Sequence, residues 1–299
     1  MAWMARTAAI RKELRLKWDW AHTALVGVFD YLSKPRDRQE LRGIGRHIAR
    51  YARGEDYHEL VKRRLRRWAA LIEDETGRAF RHVALVDTSA VLERELAARA
   101  GLGWFGRNSC LIGPRGNSWR FIGVLLTELD LPVCAVPVSE RCGSCTACLD
   151  ACPTDAFDGP YRVAASRCIS YLTIEHRGAI PEELRQGIGD WLFGCDLCQE
   201  VCPWNRQVKP GEEPAWRVRP EYEALSLAEL AGLDEEGFRA AFRRTPLARS
   251  KRAGLVRNAL IVGANLGDAE LARVAEELVD DPDEGVRDAA RWVLRQREE

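Results

Sequence analysis

The 299-residue sequence contains no apolar run as long as the roughly eighteen residues of a membrane span, and its N-terminus lacks the basic-then-apolar layout of a signal peptide. It also lacks net charge. Its 45 basic residues are matched by 45 acidic ones, so the chain as a whole presents no field to a polyanion and any nucleic-acid contact must come from local patches. No dinucleotide fingerprint, a Gly-x-Gly-x-x-Gly with its following acidic residue, is read, which argues against a Rossmann-bound nicotinamide. These absences predict a protein of the reducing cytoplasm with no membrane partner. The length allows two or three domains, each with an ample core.

What is present is cysteine at one spacing. Cys142, Cys145, Cys148 and Cys152-Pro153 form a C-x2-C-x2-C-x3-C-P run, whose thiolates hold a [4Fe-4S] cluster. Cys195, Cys198 and Cys202-Pro203 repeat the end of that run, and Cys168 upstream stands in for the missing first cysteine. In two-cluster ferredoxins the fourth cysteine of a run crosses to the other cluster. Cys142, Cys145, Cys148 and Cys202 are therefore assigned to one cluster, and Cys168, Cys195, Cys198 and Cys152 to the other. Zinc ribbons use paired C-x2-C hooks instead, and disulfides would demand an exported chain. Cys110 and Cys134 are left over and read as inert buried thiols.

Before this segment, the apolar run Ala24–Phe29 reads as a buried strand with almost nothing ahead of it to serve as a partner. A polar, aromatic loop, Tyr51 to His58, leads into a helix carrying Lys62, Arg63, Arg64, Arg66 and Arg67, with Leu60, Leu65, Trp68 and Leu71 as its apolar positions. This charge run suits a solvated face and a nucleic-acid surface equally. His82–Val86 reads as a strand ending at Asp87, with Thr88 or Ser89 capping the next helix and Leu92, Leu96 and Ala100 on one face. Asp87 thus falls at the strand end where open α/β sheets bind ligands. Gly101 to Asn108 is a glycine-rich turn that would let backbone approach a large ligand. Ser109–Ile112 and Phe121–Thr127 complete a strand-rich α/β segment.

Lys209–Pro214 marks a boundary by composition, and from Leu225 onward the pattern is helical only. Leu255, Ala259 and Val262 form one apolar face, and Leu271, Val274 and Leu278 another; Asp281-Pro282 with Val286, Arg287, Ala290 and Leu294 resembles a HEAT repeat. Arg239, Arg243, Arg244, Arg249, Lys251, Arg252 and Arg257 fall in a stretch without an acidic residue. Seven uncompensated cations predict phosphate contact.

Several segments together carry a family resemblance: Tyr51-Ala-Arg-Gly-x-Asp-Tyr-His58, Leu92-Glu-Arg-Glu-Leu-Ala97, Gly101-Leu-Gly-Trp-x-Gly106, Cys142-Gly-Ser-Cys-Thr-Ala-Cys148, Cys168-Ile-Ser-Tyr-Leu-Thr-Ile-Glu175, Gly194-Cys-Asp-x-Cys-Gln199 and Cys202-Pro-Trp-Asn205. They closely resemble epoxyqueuosine reductases. The resemblance implies an α+β chain in three parts. Residues 1–137 would be an α/β cobalamin-binding domain akin to that of reductive dehalogenases. Residues 138–208 would be a ferredoxin-like domain with two [4Fe-4S] clusters, and residues 209–299 a HEAT-like helical domain for the tRNA anticodon stem-loop. It implies reduction of epoxyqueuosine to queuosine at the tRNA wobble base. Asp87 would be the proton donor. Arg53, Arg94, Arg107, Ser109 and Asp196 would line the corrinoid, while Ser170 and Tyr171, with the basic residues Arg249, Lys251 and Arg252, would meet the tRNA. The expected protein works as a monomer fed by an external low-potential electron donor.

Three departures from the family pattern stand out. The family's Asp-Ser-Ala-Pro is Asp87-Thr88-Ser89-Ala90 here, Arg107 replaces a common lysine, and Met1 to Arg6 resembles an interior segment, so that some N-terminal residues usual in the family are expected to be missing. Two other readings are a two-cluster electron carrier with a helical docking surface and a corrinoid reductive dehalogenase; the latter are typically exported and lack the basic tail.

Overall fold

The strand predicted at Ala24–Phe29 finds its partner far downstream. In a computed structural model, which describes residues 2–35, 37–133 and 136–296, β1 (Thr23–Asp30) pairs antiparallel with β5 (Arg120–Thr127), from Thr23 opposite Thr127 to Asp30 opposite Arg120. On the other edge of β5 lies β2 (His82–Leu85), also antiparallel, from His82 opposite Thr127 to Leu85 opposite Val124. A three-stranded sheet of order β1-β5-β2 results. Because it is antiparallel throughout, the strand-end rule for open parallel sheets does not apply to Asp87.

The helix Tyr57–Thr76 covers one face of this sheet through Leu60, Val61, Leu65 and Ala69. Gly123 on β5 makes room for it, since a Cβ there would stand 2.7 Å from Val61 Cγ1 and 2.9 Å from Leu65 Cδ1. Trp68 and Leu71, predicted on the apolar side, are exposed instead. The other face packs Leu85, Val91, Val124 and Leu126 against Trp18 and Leu96.

Helix formation after β2 starts later than predicted. Its residues are Glu93–Arg99, and the preceding Leu92 offers no side-chain cap, so neither Thr88 nor Ser89 caps it. The Gly101–Gly106 turn does carry Gly-x-Gly-x-x-Gly spacing, with Glu128 further on, but it follows a helix and enters β3 (Trp104–Phe105), the reverse of the dinucleotide setting. Its glycines serve the chain itself. β3 pairs with β4 (Leu111–Ile112), and a Cβ on Gly103 would fall 2.1 Å from the Ile112 carbonyl oxygen.

The chain divides into two compact units that interleave in sequence. The first comprises Met1–Tyr31, Tyr57–Thr146 and Cys202–Val208; the second comprises Leu32–Asp56, Ala147–Val201 and Lys209–Glu299. This grouping differs from the consecutive segments 1–137, 138–208 and 209–299. Cys202–Val208 belongs with the sheet because Asn117 N–H donates to the Trp204 carbonyl at 3.0 Å and Ser118 N–H to Asn205 Oδ1 at 2.8 Å. The boundary read at Lys209–Pro214 coincides with the point where the second unit resumes at Lys209, and Gly211 N–H donates to the Leu32 carbonyl at 2.8 Å within that unit.

The core of the second unit runs from Ile44 through Trp191 and Phe193 to Val293. Its centre is the helix Lys251–Leu266, buried from Gly254 to Gly263, against which the helices Leu227–Ala231, Ala269–Glu277 and Glu284–Arg295 pack. Asp268 and Asp283 accept backbone N–H bonds at the starts of the last two helices, and Ser226 with Glu229 forms a capping box at the first.

Candidate active site and cluster ligands

Asp87 stands just beyond β2 with φ +44°, a left-handed conformation that a side chain tolerates only at some cost. Tyr57 Oη donates to Asp87 Oδ2 at 2.7 Å, and His58 Nε2 lies 3.3 Å from the same oxygen. Tyr57 is itself fixed, stacked on Phe121 of β5 with centroids 4.3 Å apart. The Asp87 side chain is 61% exposed, so desolvation of this carboxyl requires a ligand to cover it. It borders a pocket of about 460 Å³ lined also by Arg11, Val91, Leu92, Glu93, Arg94 and Phe105.

Arg11 fastens this loop, donating from Nη1 to the Val91 carbonyl at 2.7 Å and from Nη2 to the Ser89 carbonyl at 3.1 Å. Arg94 donates to the Ser109 carbonyl and lies over the Phe105 ring. Ser109 also has a positive φ, +63°, and its buried hydroxyl has no hydrogen-bond partner among the described residues. Arg107 donates to the Gly143 carbonyl beside Cys142, and its buried Nε is likewise unpartnered. Asp87, Arg94, Arg107 and Ser109 therefore share one unit.

Arg53 and Asp196 lie in the other unit, and both are interior. Asp196, 1% exposed, accepts from Arg50 through backbone N–H at 2.9 Å and Nη1 at 2.8 Å. Arg53, 3% exposed, donates Nε to the Ile48 carbonyl at 2.9 Å, and burial pulls its guanidinium down to about 10. Both were expected to line the corrinoid, and of Arg53 the buried Nη2 has no hydrogen-bond partner among the described residues.

Among the cysteines, Cys142 and Cys202 share an apolar cluster with Trp104, Ile112 and Trp204. Burial pushes the Cys202 thiol up, and charge on Cys142, Cys110 and Cys145 would push it further, whereas the Trp204 N–H stabilises its thiolate. Burial likewise raises Cys195, which lies within electrostatic reach of Cys168 and Cys152; N–H groups of Tyr171 and Ser170 point to Cys168, and Ala156 N–H reaches Cys152 Sγ at 3.3 Å. Cys202 thus groups with the first run and Cys152 with the second set, as crossed cluster ligation requires. Backbone N–H bonds to sulfur are a lever by which proteins tune such clusters. No three His, Cys, Asp or Glu side chains of the described residues converge as ligands of one ion. A cubane is wider than an ion, and its ligands stand further apart. Cys110 is half-buried, and Cys134 lies outside the described residues.

The basic stretch of the second unit is more compensated than its sequence suggests. Arg257 is buried and donates to the Leu172 and Gly178 carbonyls at 2.8 and 2.7 Å. Arg252 pairs with buried Asp281 at 2.9 Å, and Arg249 with Glu175 at 2.8 Å. Arg243, Arg244 and Lys251 are exposed, with no ion pair among the described residues. Tyr171 is half-buried, edge-on to His176, and Ser170 is half-buried beside it.

Comparison with known proteins identifies the family. A family model described as "4Fe-4S double cluster binding domain" matches residues 141–205, and one described as "Epoxyqueuosine reductase QueG, DUF1730" matches residues 11–88. The epoxyqueuosine reductase of Xanthomonas campestris pv. campestris is 42% identical over 251 residues, covering 84% of this chain and 70% of that protein. The chain belongs to the epoxyqueuosine reductase family. The Pseudomonas aeruginosa epoxyqueuosine reductase is 44% identical over 257 residues, covering 85% of this chain and 70% of the relative. Among solved structures, an epoxyqueuosine reductase with an epoxyqueuosine-modified tRNA-Tyr stem loop has a TM-score of 0.82 at 32% identity, covering 94% of this chain and 75% of that one. A Bacillus subtilis epoxyqueuosine reductase, in which an aspartate-bearing catalytic loop is swung out of the active site, has a TM-score of 0.81 at 31% identity over the same shares.

For an epoxyqueuosine reductase, reasoning from sequence missed three residues that shape the Asp87 site. Tyr57 and His58 lie in the Tyr51–His58 segment that carries the resemblance, and that segment was the available signal. Arg11 had none, because its partners are backbone carbonyls at Ser89 and Val91.

Proposed function

We propose that this chain reduces the epoxide of epoxyqueuosine to the alkene of queuosine in the anticodon stem-loop of a tRNA, with cobalamin and two [4Fe-4S] clusters as cofactors. Removing the epoxide oxygen as water consumes two electrons and two protons. When bound, cobalamin supplies a low-valent cobalt centre as electron donor, and the clusters relay electrons to it singly from an external low-potential donor. The protein's own work is to orient the base, exclude water and deliver protons.

Asp87 is the donor to the departing oxygen, and one observation carries this role. Its carboxyl is presented at the edge of a 460 Å³ pocket, on strained backbone, with Tyr57 and His58 fixing one oxygen. Covered by base and cofactor, the carboxyl loses water and holds its proton to higher pH. The residues present fit a large polar cofactor, because the buried Ser109 hydroxyl and Arg107 Nε are donors in want of acceptors. Arg94, held near Ser109, adds a cation. Asp196 holds Arg50.

The stem-loop is held by the helical part of the second unit, a HEAT-like array, through exposed Arg243, Arg244, Arg249 and Lys251 with Ser170 and Tyr171. The protein works in the cytoplasm as a monomer. Asp87→Asn tests the central claim, since asparagine keeps size and backbone tolerance but delivers no acidic proton. Conversion of epoxyqueuosine should fall about a hundredfold or more with both cofactors still bound. Conversion near the wild-type rate would remove Asp87 from the reaction.

A further inference from the structure

The reduction consumes two protons, and Asp87 holds one. The pocket beside it contains a second carboxyl, that of Glu93 in the first turn of the Glu93–Arg99 helix. A glutamate in a first turn is ordinarily solvated and ionised, favoured by the helix dipole. Glu93 is not. Its Oε1 is fully buried and has no hydrogen-bond partner among the described residues, an expensive arrangement for a carboxylate and a cheaper one for a carboxylic acid. The charged groups that face it are Asp87 from the loop after β2, Arg11 from the N-terminal segment and its neighbour Arg94, with Glu95 also lining the pocket. Burial outweighs the hydrogen bond from its own backbone N–H and the two arginines, and with the charge of Asp87 it pushes the Glu93 carboxyl up to about 7.

Building on the reductase reading above, we propose that Glu93 stores the second proton of the reduction and passes it across the shared pocket to Asp87 once Asp87 has protonated the departing oxygen. The step balances. The Glu93 carboxyl O–H breaks and an O–H forms on the Asp87 carboxylate; Glu93 is left as carboxylate and regains a proton from solvent. The electron count is untouched. The exchange also fits the effect of Asp87 on Glu93, whose proton is held more firmly while the Asp87 carboxylate is charged. An acid in the pocket shortens the path by which that loop is recharged while the base still covers it.

The test uses the full chain loaded with cobalamin and clusters, pre-reduced, in single turnover on a stem-loop carrying epoxyqueuosine, over about pH 5 to about pH 9. The wild-type rate should fall as pH rises through about 7, where Glu93 loses its proton. Glu93→Gln should be slower by roughly tenfold or more, without that limb and with unchanged stem-loop affinity, and Glu93→Asp should restore the limb. Infrared difference titration of the cofactor-free chain gives a readout independent of turnover: a protonated carboxyl titrating near neutrality in wild type and absent in Glu93→Gln. Wild-type rate and pH limb in Glu93→Gln, or no such carboxyl in wild type, overturns the proposal. Should Glu93→Gln fail to fold, Glu93→Asp without the limb, or a wild type lacking the carboxyl, does so. A wild-type chain that converts no epoxyqueuosine is the separate failure of the reductase reading.

Discussion

Asp87 occupies backbone that few residue types accept. Aspartate and asparagine enter the left-handed region more readily than most, so Asp87→Asn should fold where Asp87→Val should lose roughly 1–2 kcal/mol, measured by denaturant unfolding. Tyr57 separates position from packing in the same way. Tyr57→Phe keeps the ring stacked on Phe121 but deletes the donor to Asp87, so turnover should fall roughly tenfold while stability changes by less than about 1.5 kcal/mol. Glu93 makes stability depend on pH. Its folded value, about 7, lies above its ordinary 4.5, so the folded chain binds more protons between those values. The contribution of Glu93 is therefore fully present below about 4.5 and is lost as pH rises through about 7; Glu93→Gln should remove that decline in unfolding midpoint. Asp87 was legible as an acid after an apolar run in a familiar segment. Glu93 was not. Its sequence, an acidic residue opening a helix, describes a solvated cap, and the pocket it shares with Met4 and Arg11 is assembled from chain some eighty residues away.

At the scale of elements, continuous apolar runs located β1, β2 and β5 but not their order, because pairing partners separated by so much chain leave no local trace. The central place of β5 follows from its burial. Residues Val124 to Thr127 are all buried, as a strand flanked on both edges and covered on both faces requires. The helical periodicity of the C-terminal third proved readable for a related reason, since Leu255, Ala259, Val262, Leu271, Val286 and Ala290 are all buried. Charge was read less well. Glu175 and Asp281, the partners of Arg249 and Arg252, lie outside the basic stretch, so that a count along the chain overstated its free charge. The two kinds of cation should now separate experimentally. Arg252→Ala strands buried Asp281 and should cost about 3 kcal/mol or more of stability. Replacing Arg243, Arg244 and Lys251 together with alanine should leave stability nearly unchanged and flatten the salt dependence of tRNA binding. Equal salt slopes for wild type and this triple variant would return those residues to an ordinary solvated face.

For the whole molecule, the eight-cysteine spacing predicts about eight irons per chain after anaerobic reconstitution. Cys110→Ser should retain them, and Cys202→Ser should lose about half. The consecutive segments implied by the resemblance share the boundary between Val208 and Lys209 with the compact units, and the interleaving of the rest leaves no mark along the chain, because a unit is defined by which residues meet. The return of Cys202–Val208 to the sheet unit has a consequence for biosynthesis. A ribosome releases Cys142 and Cys145 long before Cys202, and the hydrogen bonds of Asn117 and Ser118 wait for Trp204 and Asn205. Until that short return emerges, the nascent chain exposes ligand thiols with no fourth arm to close over the metal. Closure of the first cluster therefore waits for residue 202, about two thirds of the way along the 299-residue chain, by which point all four cysteines assigned to the second cluster have been made.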